Sequence, residues 1–288
     1  MNQKLKMNIM AVFTVFFWAS SFPVTKVAMT HYTPNSISFI RCTVASILLL
    51  IIGIPNHIRK PQKKDILWFL LSGGLGFAIY MIFLNNGIQT LTSATSSIII
   101  TTTPIMTTVV ASKCYGEKIK KVGWLTIALA FVGVLILMLW DGVVSINIGL
   151  IWTIGAAIVF CCYNILNRKL YSIGYTALEI VTYSMICGSI LLTSFSLQGV
   201  VQIITSQPKH ILSVIYLGAM PSAIAYLLWG KAMSLADKTS EVTNFMFVTP
   251  LFSTVLGFIL LKEIPNMGTF IGGTIIILSI FIFNLKGK

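Results

Sequence analysis

Residues 80–117, YMIFLNNGIQTLTSATSSIIITTTPIMTTVVASKCYGE, recur in looser form at residues 226–263, YLLWGKAMSLADKTSEVTNFMFVTPLFSTVLGFILLKE. A shift of 146 positions, with no gap, sets Tyr80 on Tyr226, Thr103 on Thr249, Pro104 on Pro250, Thr108 on Thr254 and Glu117 on Glu263. Identity elsewhere in the window is low, so the weight falls on placement. Each copy has an early Tyr, then small and hydroxyl residues, a Pro in mid-helix, and a Glu where the apolar run stops. The offset is about half of the 288 residues, as duplication of one unit predicts. A second alignment, at offset 142, sets Trp18 on Phe160 and Lys26 on Arg168. The chain therefore reads as two related halves, 1–143 and 144–288.

Composition names the solvent of these halves. The chain is 56% hydrophobic and 9% charged, with mean hydropathy +0.91, where soluble domains carry roughly 25% charge. Too little polar surface remains to cover a water-soluble globule. Apolar runs of about 20 residues, enough to cross a hydrocarbon core of roughly 30 Å, fall near 7–28, 36–55, 65–85, 93–114, 121–140, 148–167, 177–198, 210–230, 239–261 and 266–285. The expected fold is an all-α integral membrane protein with ten transmembrane helices. The first run is too long for a signal peptide and nine more follow, so it reads as an uncleaved helix.

Charge orients the helices. The net charge of +13 comes from short basic clusters between apolar runs, without the basic face and interleaved aromatics of a nucleic-acid binder. Sixteen of the 20 basic residues fall on one side of the alternating topology. The other side keeps Lys26, Lys209 and Lys262, and Arg41 lies inside a span. The positive-inside rule then places both termini in the cytoplasm of a multi-pass protein of the bacterial inner membrane. Five spans per half is odd, so the second half enters in the opposite sense, the inverted-topology repeat found in many secondary transporters.

Five cysteines and three histidines show neither Cys-x-x-Cys nor Cys/His ligand spacing, so no metal, disulfide framework or cofactor is expected. An intramembrane enzyme would need a constellation such as His-Glu-x-x-His or paired mid-span carboxylates, and none is present. Short loops and the lack of a signalling domain argue against a receptor. Ser72-Gly73-Gly74-Leu75-Gly76 lacks the Lys of a phosphate loop and reads as close helix packing. No Asp or Glu falls near the middle of a span, so no obvious proton or sodium carboxylate is available for coupling. Facilitated diffusion, exchange and less usual coupling all remain compatible with the chain.

Ser93-Ala94 through Pro104 to Gly116-Glu117, and Ser240-Glu241-Val242 through Pro250 to Lys262-Glu263, resemble the two EamA repeats of the drug/metabolite transporter superfamily. Phe17-Trp18-Ala19-Ser20-Ser21-Phe22 and Arg41 in the second span fit as well, and Lys262 in place of Gly116 is a departure. The resemblance implies export or exchange of amino acids, related metabolites or drugs, whether cationic or anionic, through a central cavity between the halves. The expected partners are a small-molecule substrate and the lipid bilayer. Either a monomer or a homodimer satisfies these patterns.

Candidate substrate-binding residues follow from polarity at depth. Span four carries a hydroxyl stripe that includes Ser97 and Thr101, and Thr249 lies on the matching stretch of span nine. Such a stripe suits a cavity wall or close helix packing. Trp18 and Tyr163 are too deep for an interfacial aromatic belt, while Tyr80, Tyr226 and Trp229 could serve a belt or a cavity. Ser21 lies one helical turn from Trp18. Asn164 and Asn244 are mid-span amides that need partners. Arg41 could bind a carboxylate or phosphate of the substrate, or snorkel to headgroups. Pro104 and Pro250 each remove an amide donor and should kink or hinge their helices. Glu117 and Glu263 read as caps of the fifth and tenth helices.

Overall fold

The computed structural model describes residues 3–116, 119–140, 147–235, 242 and 244–287, so Glu117 and Asp141 lie outside the described residues. The chain is helical throughout, with no strand among the described residues. The first half comprises α1 (Gln3–Met29), α2 (Pro34–Gly53), α3 (Ile66–Gly73) joined through a π turn at Gly74–Ile79 to α4 (Tyr80–Thr90), α5 (Ser93–Thr101) followed by α6 (Thr103–Tyr115), and α7 (Lys121–Leu139). The second half comprises α8 (Ile148–Ser172), α9 (Ala177–Leu191) bent into α10 (Ser196–Ile204), and α11 (Pro208–Leu217) joined through a π turn at Gly218–Ile224 to α12 (Ala225–Leu235). It ends with a 3-10 turn, Asn244–Val248, leading into α13 (Thr249–Leu261), and then α14 (Met267–Ile282). These make ten apolar segments. Six are long enough to cross a membrane unaided, one is a bent pair, and three are shorter apolar helices. Ten crossings bring both termini to one face. Five per half set the second repeat antiparallel to the first.

The molecule is inside-out relative to a soluble protein. Leu197 and Ile204 are 77% and 78% exposed, whereas Ser72, Asn85, Ser96 and Thr153 are fully buried. Hydrocarbon offers no hydrogen bonds, so buried hydroxyls bond locally to the preceding turn. Thr14 donates to Met10, Ser46 to Cys42, Thr101 to Ser97 and Thr153 to Gly149.

The duplication is visible in local geometry. Each half has a π turn just before its repeat tyrosine. Each also begins a new helix at a Thr-Pro pair, Thr103-Pro104 and Thr249-Pro250. The prolines thus sit at the start of α6 and α13 after a break, where a missing N–H leaves no intrahelical bond unmade. The departure at Lys262 keeps the backbone of its counterpart. Gly116 has φ 68° and Lys262 φ 57°, both left-handed, closing their helices in the same way. Thr43 of α2 and Ser189 of α9 bond across the halves at 2.8 Å.

Two differences from the sequence expectation stand out. The seventh segment is not one helix over 177–198 but bends by 51° after Leu191. The Leu192 amide bonds back to Gly188 and Ser189, and the Thr193 hydroxyl takes the Ile190 carbonyl. Both arms are apolar, so hydropathy runs through the bend unmarked. The second concerns Glu263. Asn266 caps α14, accepting from the Thr269 amide at 2.8 Å, and Glu263 is drawn into the other half instead.

Packing at the glycine cluster is close. A Cβ on Gly73 would lie 2.4 Å from the Ser184 carbonyl oxygen and 2.7 Å from the Gly188 nitrogen, both backbone. On Gly74 it would meet only the tip of Leu191, at 3.3 Å. Gly73→Ala should therefore force α3 and α9 apart, at about 1–3 kcal/mol, and Gly74→Ala should be tolerated. Thermal unfolding in detergent checks this: equal melting temperatures for the two variants would contradict the packing described.

Candidate functional site

A narrow cavity lies where the halves meet. It is lined by Trp18, Ser21 and Phe22 of α1, Arg41 of α2, Tyr80 and Met81 of α4, Ile100 and Thr101 of α5, Phe160 of α8, Tyr226 of α12, and Met246 and Thr249 from the start of α13. Its free volume is about 60 Å³, space for a few waters and well below the roughly 300–1,000 Å³ of small-molecule pockets. The cavity is too small to hold a metabolite as it stands. The walls come in repeat-related pairs: Trp18 with Phe160, Tyr80 with Tyr226, and Ile100 with Met246. Phe160 lies 4.8 Å from Tyr80, and Trp18 lies 5.4 Å from Tyr226, centroid to centroid, so each pair is interleaved with the next.

Around this lining the remaining candidates take other places. Tyr163 is buried behind Phe160, its ring stacked at 5.3 Å. Trp229 supports Trp18 at 5.1 Å. Ser97 is buried and donates to the Ala94 carbonyl, away from the lining. Asn164 donates to Thr107 at 3.4 Å, tying α8 to α6. The side chain of Asn244 lies outside the described residues. Sequence reasoning did not single out Phe22, Met81, Ile100, Phe160 or Met246 as site residues. The repeat offset carried a signal for one of them, since Phe160 is the mate of the candidate Trp18, whereas Ile100 and Met246 are mates only of each other.

Most polar groups on the wall already have partners. The Trp18 indole N–H donates to the Pro221 carbonyl at 3.1 Å, Ser21 to the Trp18 carbonyl, and Thr101 to the Ser97 carbonyl. Arg41 is 3% exposed; its Nε donates to Ser222 Oγ at 2.5 Å, while Nη1 has no partner. Ser222 in turn donates to Leu217, which fixes its lone pairs towards the guanidinium. Thr249 Oγ1 is likewise buried without a partner. Its repeat mate differs: Thr103 donates to the Ile100 carbonyl at 2.7 Å, which Pro104 would have bonded in an unbroken helix.

An ion pair between the halves stands at each face. On the face without termini, Lys26 of α1 pairs with Glu263, whose other oxygen accepts from the Ser93 amide opening α5 at 2.8 Å. A carboxylate there suits the positive end of that helix. On the terminal face, Arg59 pairs with Glu179 at 2.9 Å, and this carboxylate pushes the exposed guanidinium further above its ordinary value.

The model of the EamA-like transporter family matches twice, over residues 5–139 and 147–285. The chain belongs to this family. The two EamA matches coincide with the five-segment halves, so the protein is a multi-pass membrane transporter by family and by build. A probable terminal-alkyne amino-acid exporter of Streptantibioticus cattleyicolor is 29% identical, over 96% of this chain and 92% of that one. The uncharacterized transporter YdfC of Bacillus subtilis is 28% identical, over 93% and 88%. A probable amino-acid metabolite efflux pump of Escherichia coli is 24% identical, over 98% and 97%. A solved crystal structure shares the fold, at TM-score 0.65 and 15% identity over 98% of both chains.

The asymmetry of the two threonines gives a test within this EamA scaffold. Thr103→Val strands a buried carbonyl and should lose about 1–3 kcal/mol of stability. Thr249→Val removes an orphaned hydroxyl and should leave stability equal or higher. Denaturation of the two purified variants in the same detergent decides, and equal losses would contradict the assigned bonding.

Proposed function

We propose that this chain is a secondary transporter that exports amino acids or related small metabolites by alternating access. The observation that carries the reading is the cavity at the junction of two antiparallel repeats, walled by repeat-related aromatic pairs. The names of the similar exporter and efflux pump support the substrate class.

Halves 1–143 and 144–288 rock against each other. Because the repeats are inverted, exchanging their conformations turns a cavity open to one face into one open to the other. Trp18, Tyr80, Phe160 and Tyr226 then grip the substrate's apolar part from both halves, while Ser21 and Thr101 offer acceptor oxygens. Tyr163 and Trp229 brace these rings from behind. Substrate admission widens the cavity, since the space as it stands holds only a few waters. The Lys26–Glu263 and Arg59–Glu179 pairs lie where opening must part the halves. Glu179 is buried and Glu263 largely so, so parting either pair must bring its carboxylate back into water.

On the charge bias, the terminal face is cytoplasmic, in the inner membrane of a bacterium. A membrane-impermeant maleimide applied to intact cells should then modify Ser206→Cys and spare Lys60→Cys in a cysteine-free background. The opposite pattern would place the terminal face outside the cell.

Flux tests the mechanism directly. Proteoliposomes should accumulate and exchange labelled leucine without altering it chemically. Joining Lys26→Cys to Glu263→Cys with a short bismaleimide should abolish that flux while leaving the melting temperature intact. Undiminished flux through fully crosslinked protein is incompatible with rocking of the halves.

A further inference from the structure

We infer that Arg41 and Thr249 form a monocarboxylate subsite, so that the exported molecules share one carboxylate and need no ammonium group; this rests on the transporter reading above. Two residues that line one cavity carry buried donors without partners, Arg41 Nη1 and Thr249 Oγ1. A carboxylate is acceptor-only with two oxygens, one for each donor. No acidic side chain lines the cavity among the described residues. The described acids are engaged elsewhere: Asp65 with Tyr175, Glu179 with Arg59, and Glu263 with Lys26 and Ser93. A buried guanidinium without a counter-charge is costly, and a ligand anion supplies that charge.

The count of charges narrows the class. One guanidinium amid apolar walls balances a single negative charge. A phosphate dianion would leave a second charge buried without a cation. A simple amine would place like charges together. An α-ammonium is tolerated, because Trp18, Tyr80, Phe160 and Tyr226 present ring faces, but no lining carboxylate requires it.

The repeat shows that this pairing is a departure from symmetry. The N-caps of α2 and α9, Thr33 and Thr176, lie 143 positions apart, an offset that sends Arg41 to Ser184, which is not cationic. The aromatic walls are duplicated and the charge is not. Arg41 is also the residue type suited to the task, its planar fork keeping Nε on Ser222 while Nη1 is left unpartnered. Thr249 departs in the same sense, since its mate Thr103 spends its proton on Ile100.

Isothermal titration of the purified protein with four isosteric probes tests this: 4-methylpentanoate, leucine, leucinamide and 3-methylbutylamine. The first two should bind, and the last two should bind at least about tenfold more weakly, the loss expected for leaving a polar contact unmade. Thr249→Val, which the bonding pattern allows to fold normally, should weaken both carboxylates about tenfold and leave leucinamide unchanged. Arg41→Gln should erase the preference, and Arg41→Lys should restore part of it. Equal binding of leucine and leucinamide would overturn the subsite, as would carboxylate affinities left undiminished in Thr249→Val. Leucine efflux that leucinamide inhibits as strongly as 4-methylpentanoate would sink the subsite alone and leave the exporter reading standing. Carboxylate-selective binding without leucine efflux would support the subsite and count against the exporter.

Discussion

Hydrocarbon does not hydrogen-bond, and every feature of this chain answers to that. A polar group within the bilayer must find its partner inside the protein. Hence hydroxyls bond back to their own helix, as Thr14, Ser46 and Thr101 do. Hence also the two repeat prolines follow a break: Thr-Pro pairs start α6 and α13, where Pro104 and Pro250 lack a donor that no carbonyl awaits. Where the rule is violated, at Arg41 Nη1 and Thr249 Oγ1, the violation falls on a cavity wall. Other unpartnered atoms, such as Ser96 Oγ and Thr182 Oγ1, line no part of that cavity and nothing further follows from them.

The architecture was legible because membrane folds are written in long, redundant signals. Ten apolar runs and a basic bias survive almost any local irregularity, and a gapless repeat over 38 residues locates the second half. The irregularities themselves were not legible. The 51° bend after Leu191 lies in an apolar stretch with neither Gly nor Pro at the bend, and hydropathy averages over it. The π turns before Tyr80 and Tyr226 depend on how helices pack, with Gly76 set against the Tyr163 ring. Lys262 adopts the left-handed backbone of Gly116, which residue identity alone would advise against.

The site was partly legible for a related reason. Trp18, Arg41, Tyr80 and Tyr226 announce themselves as polar or aromatic groups at depth. Phe160, Ile100 and Met246 look like any lipid-facing or core side chain, and the repeat offset pairs only Phe160 with a candidate, Trp18. Glu263 misled in another way: proximity in sequence favours the tenth helix, but the nearer electropositive end in space is that of α5 in the opposite half. Sequence distance and spatial distance part company wherever two repeats interlock.

Duplication with sparse departures explains how such a scaffold can change substrate without changing mechanism. Rocking requires that the two halves be alike in shape, and the paired rings, π turns and Thr-Pro breaks keep them so. Selection requires that something in the cavity be unlike. In a wall built of interchangeable aromatic pairs, a single-copy charge such as Arg41 is worth more than any ring, because in low dielectric an uncompensated charge discriminates between ligands by sign and count, whereas ring faces accept most apolar shapes. The same logic confines the tolerable changes. A substitution at a paired ring alters both states of the cycle together. In the proposed cycle, a change at Arg41 or Thr249 would alter which molecule enters while leaving untouched the backbone symmetry on which alternation would depend.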